Sequence, residues 1–236
     1  MYIEIIPNLY RISTTELSCH SYLIIGDDLN ILIDSGAKDG IDILESDLHR
    51  IGLEVGDIGI LINTHDHFDH IGGNKHFQER KVTIAAHRNA AVKMTSGDDE
   101  VMMCRASGHD VTGYHVNLWL ENINVIDAGG WFLKILHTPG HTSGCICIYE
   151  ARKRILFSGD TVFANGTVSI IAISGSYGEY ANSLARLNTM KMQLLLPGHG
   201  RISENAEDCI AKALDEVRNR HEKQIFGKQL ISPIRV

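Results

Sequence analysis

The segment Thr64-His65-Asp66-His67-Phe68-Asp69-His70 gathers three imidazoles and two carboxylates within seven residues. His65 and His67 lie two apart at the end of an apolar run, so in extended backbone both project to one side. Asp69 and His70 follow as the chain turns at Gly72-Gly73. Imidazole nitrogen and carboxylate oxygen suit zinc, iron and manganese, and so dense a cluster is hard to satisfy without a cation. Residue frequencies give about one accidental HxHxDH in several hundred chains of this size. Asp66 stands at the variable position of the pattern and is assigned no metal.

One loop cannot close two coordination spheres, so further ligands are expected at other strand ends. Three candidates lie there: His141 in HTPGHTSG, Asp160 in FSGDTV and His199 in LPGHG, each just past an apolar strand or in a glycine-bearing turn.

The elements that must position these residues show a weak repeat. SYLII is followed by ILIDSG ending in Asp34, a helix-like IDILESDLHRIGL, and GILINTHDH running into His65. CICIY is followed by RILFSGD ending in Asp160, a helix-like YANSLARLNTMKM, and LLLPGHG running into His199. Ile41, Leu44, Leu48 and Ile51 recur at helical spacing, as do Leu184, Leu187 and Met190. Short β-branched runs alternating with amphipathic helices imply sheets covered by helices on their outer faces, with the two halves packed sheet against sheet. The expected organisation is a single domain, 1–236, with halves at about 1–96 and 123–236. Residues 97–122 form an insertion near the site, with a lid as one role. A terminal helix is expected between Ser203 and Gly227.

Composition narrows the rest. The chain has 236 residues, 44% of them hydrophobic, enough for a substantial core. A net charge of -7 with scattered Lys and Arg offers no footprint for nucleic acid or an anionic membrane surface. No stretch is apolar enough to span a bilayer, and MYIEIIPNLYRIS, with its acid at Glu4, lacks the pattern of a secretory signal. Five cysteines are an odd and scattered set, which points to a reducing cytoplasm and to buried thiols, Cys145 and Cys147 included, rather than disulfides or ligands.

Taken in order, THDHFDHIGG, HTPGHTSG, SGDTVF and LLPGHG resemble the metallo-β-lactamase superfamily over nearly the whole chain. The resemblance implies an α+β fold, a four-layer αββα sandwich with the metals at the edge between the sheets. It implies two divalent ions, zinc first and iron or manganese as alternatives. His65, His67 and His141 would hold one, Asp69, His70 and His199 the other, and Asp160 would bridge them. Asp34 in LIDSG would support the site through a ligand imidazole. Water beside two such ions loses a proton near neutrality, so the expected nucleophile is a bridging hydroxide, with Asp69 as the catalytic residue that accepts and returns a proton.

Within the superfamily, Asp160 and the N-terminus argue against antibiotic hydrolysis, and His67 argues against the flavodiiron pattern with Glu at that position. HTPGHTSGC and GDTVF most resemble the glyoxalase II group, which hydrolyses hydroxyacylglutathione, although only about thirty-seven residues follow His199, fewer than its helical glutathione-binding tail. The expected activity is therefore cleavage of a small ester, thioester or lactone. A mononuclear iron persulfide dioxygenase is the alternative, with a phosphodiesterase or a non-catalytic binding member behind it. The expected partner is a small-molecule substrate, with no nucleic acid or membrane, and a homodimer is compatible.

Other residues carry lesser expectations. His137 is read as a hydrogen-bonded structural residue, and His87 as a helix cap or exposed residue. His109 and His115 are read as surface residues of the insertion, with substrate contact as the alternative. Tyr177 and Tyr180 are assigned to packing before oxyanion stabilisation, and His20 stands near the pocket without an assigned role.

Overall fold

The computed structural model describes residues 1–108 and 113–229. Seven strands form the first sheet, in the order β1 (Tyr2–Ile6), β2 (Leu9–Ile12), β3 (Ser21–Ile25), β4 (Asn30–Ile33), β5 (Ile58–Asn63), β6 (Thr83–His87) and β7 (Leu118–Leu120). The second sheet runs from β8 (Val125–Asp127) through β9 (Phe132–His137), β10 (Ile146–Glu150) and β11 (Ile155–Gly159) to β12 (Leu194–Pro197). Helices α1 (Ile41–Ile51), α2 (Phe68–Ile71), α3 (Asn74–Glu79), α4 (Arg88–Ser96) and α5 (Asp99–Met102) belong to the first part of the chain, and α6 (Tyr177–Leu187) and α7 (Ala206–Gln229) to the second.

Side-chain alternation along the strands decides the layering. Leu32 of β4 faces a core with Leu44 and Leu48 of α1, while its neighbours Ile31 and Ile33 face the seam between the sheets. On β10, Ile146 and Ile148 enter that seam opposite them, and Cys147 and Tyr149 pack outward on Leu184 of α6 and Ile210 and Val217 of α7. Strands covered on both faces thus carry short apolar runs, ILI in β4, ICI in β10 and LLL in β12, and the result is the four-layer αββα sandwich.

The repeat in the sequence is a repeat in topology. β3 pairs antiparallel with β4, α1 crosses over, and β5 returns parallel to β4. β10 pairs antiparallel with β11, α6 crosses over, and β12 returns parallel to β11. Gly52 ends α1 at φ 97°, a left-handed cap that glycine adopts freely, and Ser176 caps α6 by accepting from the Glu179 amide. Both crossovers place the C-terminal ends of their parallel strands at one edge of the seam, where Asp34, His65, Asp160 and His199 emerge.

Of the 97–122 segment, Leu118–Leu120 extends the first sheet parallel to β6, while Met102, Cys104, Tyr114 and Val116 are buried against its outer core. The Tyr114 amide donates to the Met94 carbonyl and the Asn117 amide to that of Ile84. All five cysteines are buried and free. Among the described residues, no helix is long and apolar enough to cross a membrane.

Candidate metal centre

The loops that leave the strands, together with the short helix α2 that carries Asp69 and His70, bring all seven predicted ligands to one point. Ring centroids of His65 lie 4.7 Å from His67, 4.0 Å from His70 and 5.0 Å from His141, and those of His70 and His199 are 5.3 Å apart. His65, His67 and His141 offer nitrogens that could hold one cation. Asp69, His70 and His199 form a second such group. Asp160 lies between them, with Oδ1 3.3 Å from His70 Nε2 and 3.7 Å from His199 Nε2, and Oδ2 3.9 Å from His141 Nε2.

Several of these atoms are buried without a hydrogen-bond partner: Nε2 of His65 and His70, and Oδ1 of Asp160. Orphaned polar atoms in a folded interior cost free energy unless something outside the chain satisfies them. His67 Nδ1 and His141 Nε2 stand 3.0 Å apart, near the ~3.3 Å that two nitrogens of a tetrahedral zinc site would show at bond lengths of 2.0–2.1 Å. The donor set and its orphaned atoms fit a pair of divalent ions.

The imidazoles are aimed from behind. Asp34 Oδ2 lies 2.8 Å from His70 Nδ1, while Oδ1 accepts from the Thr64 amide and Oδ2 from the Thr64 hydroxyl, each at 2.7 Å. His141 Nδ1 lies 2.6 Å from the Ile170 carbonyl. A proton on each Nδ1, donated backward, leaves each Nε2 lone pair facing the cluster. Asp34 holds φ 58°, a left-handed backbone rare for a residue with a Cβ, and its three acceptor bonds hold it there.

Burial and charge compete at every group. Burial lowers the pKa of His65 well below its ordinary value, and the neighbouring imidazoles push it the same way. At His70 burial works downward, but the surrounding acidic groups, Asp34, Asp69 and Asp160 among them, override it and raise the pKa. For Asp69 and Asp160 burial works upward, and the adjacent histidines hold both below the usual carboxylate range. The cluster therefore keeps its carboxylates charged and His65 neutral, the forms that ligate metal, while His70, drawn toward its protonated form by those carboxylates, would give up its Nε2 proton on ligation.

Residues beyond the seven complete the frame. Asp66 is fully buried, and Lys93 Nζ of α4 stands 3.6 Å from its Oδ2 while donating at 2.6 Å to Ser143 Oγ, two residues past His141. Burial raises the pKa of Asp66, and Lys93 opposes that rise. Tyr180 is buried and donates to the backbone carbonyls of Asp160 and Thr161, so its place is structural. Tyr177 stacks on His221. His20 holds the loop of His199: its amide donates to the Gly198 carbonyl at 2.7 Å, and its Nε2 lies 2.7 Å from the Gly200 carbonyl. Tyr22 Oη donates to the Pro197 carbonyl at 2.7 Å. Cys19 reaches the site from behind, with Sγ close to the ligand atoms of Asp34 and His70, and burial pushes its thiol up to about 12.

His87 caps α4 through Nδ1 and stacks on His137 at 3.7 Å, while His137 Nε2 lies 3.0 Å from the Ser143 carbonyl. His87 is thus a cap but buried rather than exposed, because the paired ring covers it. His115 is exposed, and its carbonyl accepts from Gln78. His109 lies outside the described residues. A cleft of about 400 Å³ opens beside Phe68, lined also by Lys38, His76, Cys104 and Tyr114, and none of the seven cluster residues lines it.

Two glycines permit the close approach. A Cβ on Gly198 would stand 2.6 Å from Asp160 Oδ1 and 2.7 Å from His70 Cε1. One on Gly159, at φ 48°, would meet Thr64 Oγ1 at 2.6 Å.

Comparison with known proteins agrees with this geometry. The family described as the metallo-beta-lactamase superfamily matches residues 14–199. A probable metallo-hydrolase of Methanocaldococcus jannaschii is 34% identical over 83% of this chain and 94% of its own. A hydroxyacylglutathione hydrolase of Pelagibacter ubique is 32% identical over 89% of this chain and 79% of its own. The crystal structure of a metallo-beta-lactamase family protein from Thermus thermophilus superposes with a TM-score of 0.79 at 19% identity, covering 93% of this chain and 82% of that one, which speaks to the fold.

Proposed function

The chain belongs to the metallo-β-lactamase superfamily of metal-dependent hydrolases, and we propose that it cleaves a thioester or related small ester or lactone with two divalent ions, zinc first among them. The observation that carries this reading is Asp160, whose two oxygens divide between the His141 side and the His70–His199 side of the cluster. A carboxylate so placed can span two ions, whereas a single ion held by two histidines and a carboxylate would use one of its oxygens. The thioester choice draws on the hydroxyacylglutathione hydrolase among the relatives.

His65, His67 and His141 would hold one ion, and Asp69, His70 and His199 the other. Bound there, such ions would supply water acidified to a pKa of about 7 and polarise the substrate carbonyl. The chain's own residues do the rest. Asp34 and the Ile170 carbonyl fix which nitrogens of His70 and His141 carry protons. Asp69 has one oxygen 3.0 Å from His199 Nε2 and a side chain 15% exposed, so its carboxylate reaches the solvent side of the cluster and can take a proton there and return it to the departing group.

The test is metal analysis of purified protein followed by assay of thioesters, lactones, phosphodiesters and a persulfide. Two ions per chain and thioester cleavage under nitrogen are expected. One redox iron per chain with oxygen consumed on the persulfide would overturn the reading in favour of the dioxygenase.

A further inference from the structure

The loop between Asp160 and α6 has a property the proposed chemistry does not require. From Thr161 to Gly178 it contains no Asp, Glu, Lys, Arg or His, the longest such stretch in the chain. It runs along the cluster: the Ile170 carbonyl faces His141 Nδ1 at 2.6 Å, the Ala172 amide donates to the His141 carbonyl at 2.9 Å, and Ser174 Oγ accepts from the Ser143 amide. Ile171 is partly buried against the core under α6 and α7, which turns its neighbours outward. Ile170 is 65% exposed and Ile173 64%. On the Asp69 side, Leu17 is 65% exposed, two residues before Cys19, whose amide donates to the Asp69 carbonyl. Phe163, half-buried, lies 6.3 Å from the His199 ring.

Single exposed apolar side chains are ordinary on a protein surface. Here they stand on segments hydrogen-bonded to opposite sides of one cluster; the Thr161–Gly178 segment carries no cation of its own, and the Arg201 guanidinium that reaches it is held by Asn165 Oδ1. A surface of that kind gains by being covered when substrate binds. We infer that Ile170, Ile173 and Leu17 form an apolar lip that takes the hydrocarbon chain of the substrate's acyl group, so that the protein prefers acyl thioesters of medium chain length over short or charged acyl groups. The inference rests on the thioester reading for its substrate, and the lip itself can be tested without turnover.

The experiment measures kcat/KM of the metal-loaded protein on N-acetylcysteamine thioesters from acetyl to decanoyl, and calorimetric binding of the carboxylates from acetate to decanoate. Transfer of a methylene from water to an apolar surface corresponds to about two- to fourfold in an equilibrium. Both series should steepen by about that factor per methylene in the middle lengths. In Ile170→Ser/Ile173→Ser, whose melting temperature checks its folding, both slopes should flatten. Thioester cleavage with no chain-length dependence in rate or binding would overturn the lip and leave the hydrolase reading standing. No thioester cleavage, with decanoate binding that the double variant loses, would do the reverse. Sedimentation with phosphatidylcholine vesicles that the double variant abolishes, alongside flat series, would make the lip a membrane contact and overturn the inference.

Discussion

Lys93 Nζ, 3.6 Å from Asp66 Oδ2 and 2.6 Å from Ser143 Oγ, joins the loop of His65 and His67 to the loop of His141 through one ammonium. Asp66 is fully buried, so removing the cation strands a charge. Lys93→Ala should cost roughly 3–5 kcal/mol of stability, and Lys93→Ala/Asp66→Asn should recover part of it. It should also weaken metal binding at the three-histidine side by about 10–100-fold. Chelator competition and thermal melts check both; unchanged affinity in Lys93→Ala would remove this link from the account.

Gly198→Ala places a methyl group where Asp160 and His70 already stand. The core lies elsewhere, so circular dichroism should stay native, while turnover should fall by about 10²-fold because displaced ligands misplace the reacting groups. Native turnover would mean that the loop can yield without cost.

Asp160→Ala should reduce bound metal from two ions per chain toward one, read by plasma mass spectrometry after gel filtration. Complete removal with a chelator should abolish turnover and lower the melting temperature, since ions that bind only the folded chain stabilise it. Two tightly held ions in Asp160→Ala would contradict its bridging place.

Asp69→Asn keeps the shape of the side chain and removes its proton affinity. We expect kcat to drop by about 10²–10⁴-fold. Turnover at the native rate, with metal content matched, would reassign the proton transfer.

His87 gives a pH dependence away from the cluster. Burial, then His137 and Arg88, push its pKa down to about 4, against 6.5 in the unfolded chain. Between those values the unfolded state binds the proton that the folded state refuses, so stability falls as pH falls. The contribution is complete above pH 6.5 and amounts to roughly 2–3 kcal/mol lost by pH 4. His87→Asn, which retains a capping side chain, should show a shallower loss of melting temperature from pH 6.5 to 4.5 than the native protein.

Much of this was legible in the sequence because strand ends carry it. His65, Asp160 and His199 each stand three residues past an apolar run, ILI, ILF and LLL, and Asp34 follows ILI directly, so the order of elements already places them at one edge. Lys93, Cys19 and Tyr180 carried no such mark. Lys93 reads as an ordinary polar residue of α4, and only the packing of that helix brings its ammonium to Asp66. Cys19 reads as a core thiol and is one, yet the turn before β3 sets it against His70. His20 stood near the pocket in sequence, but its role is to hold backbone, which no side-chain pattern announces.

The bonds that His20 and Tyr22 make to Pro197, Gly198 and Gly200 cross from one sheet to the other, as does the Ile146 amide to the Thr64 carbonyl at 2.8 Å. None of them involves an ion. The entropy of bringing residues 65 and 199 together is therefore met when the chain folds, not when the cations arrive. Loss and exchange of ions held at the cluster should therefore leave the fold in place, with the identity of the ions set by their supply and by ligand chemistry.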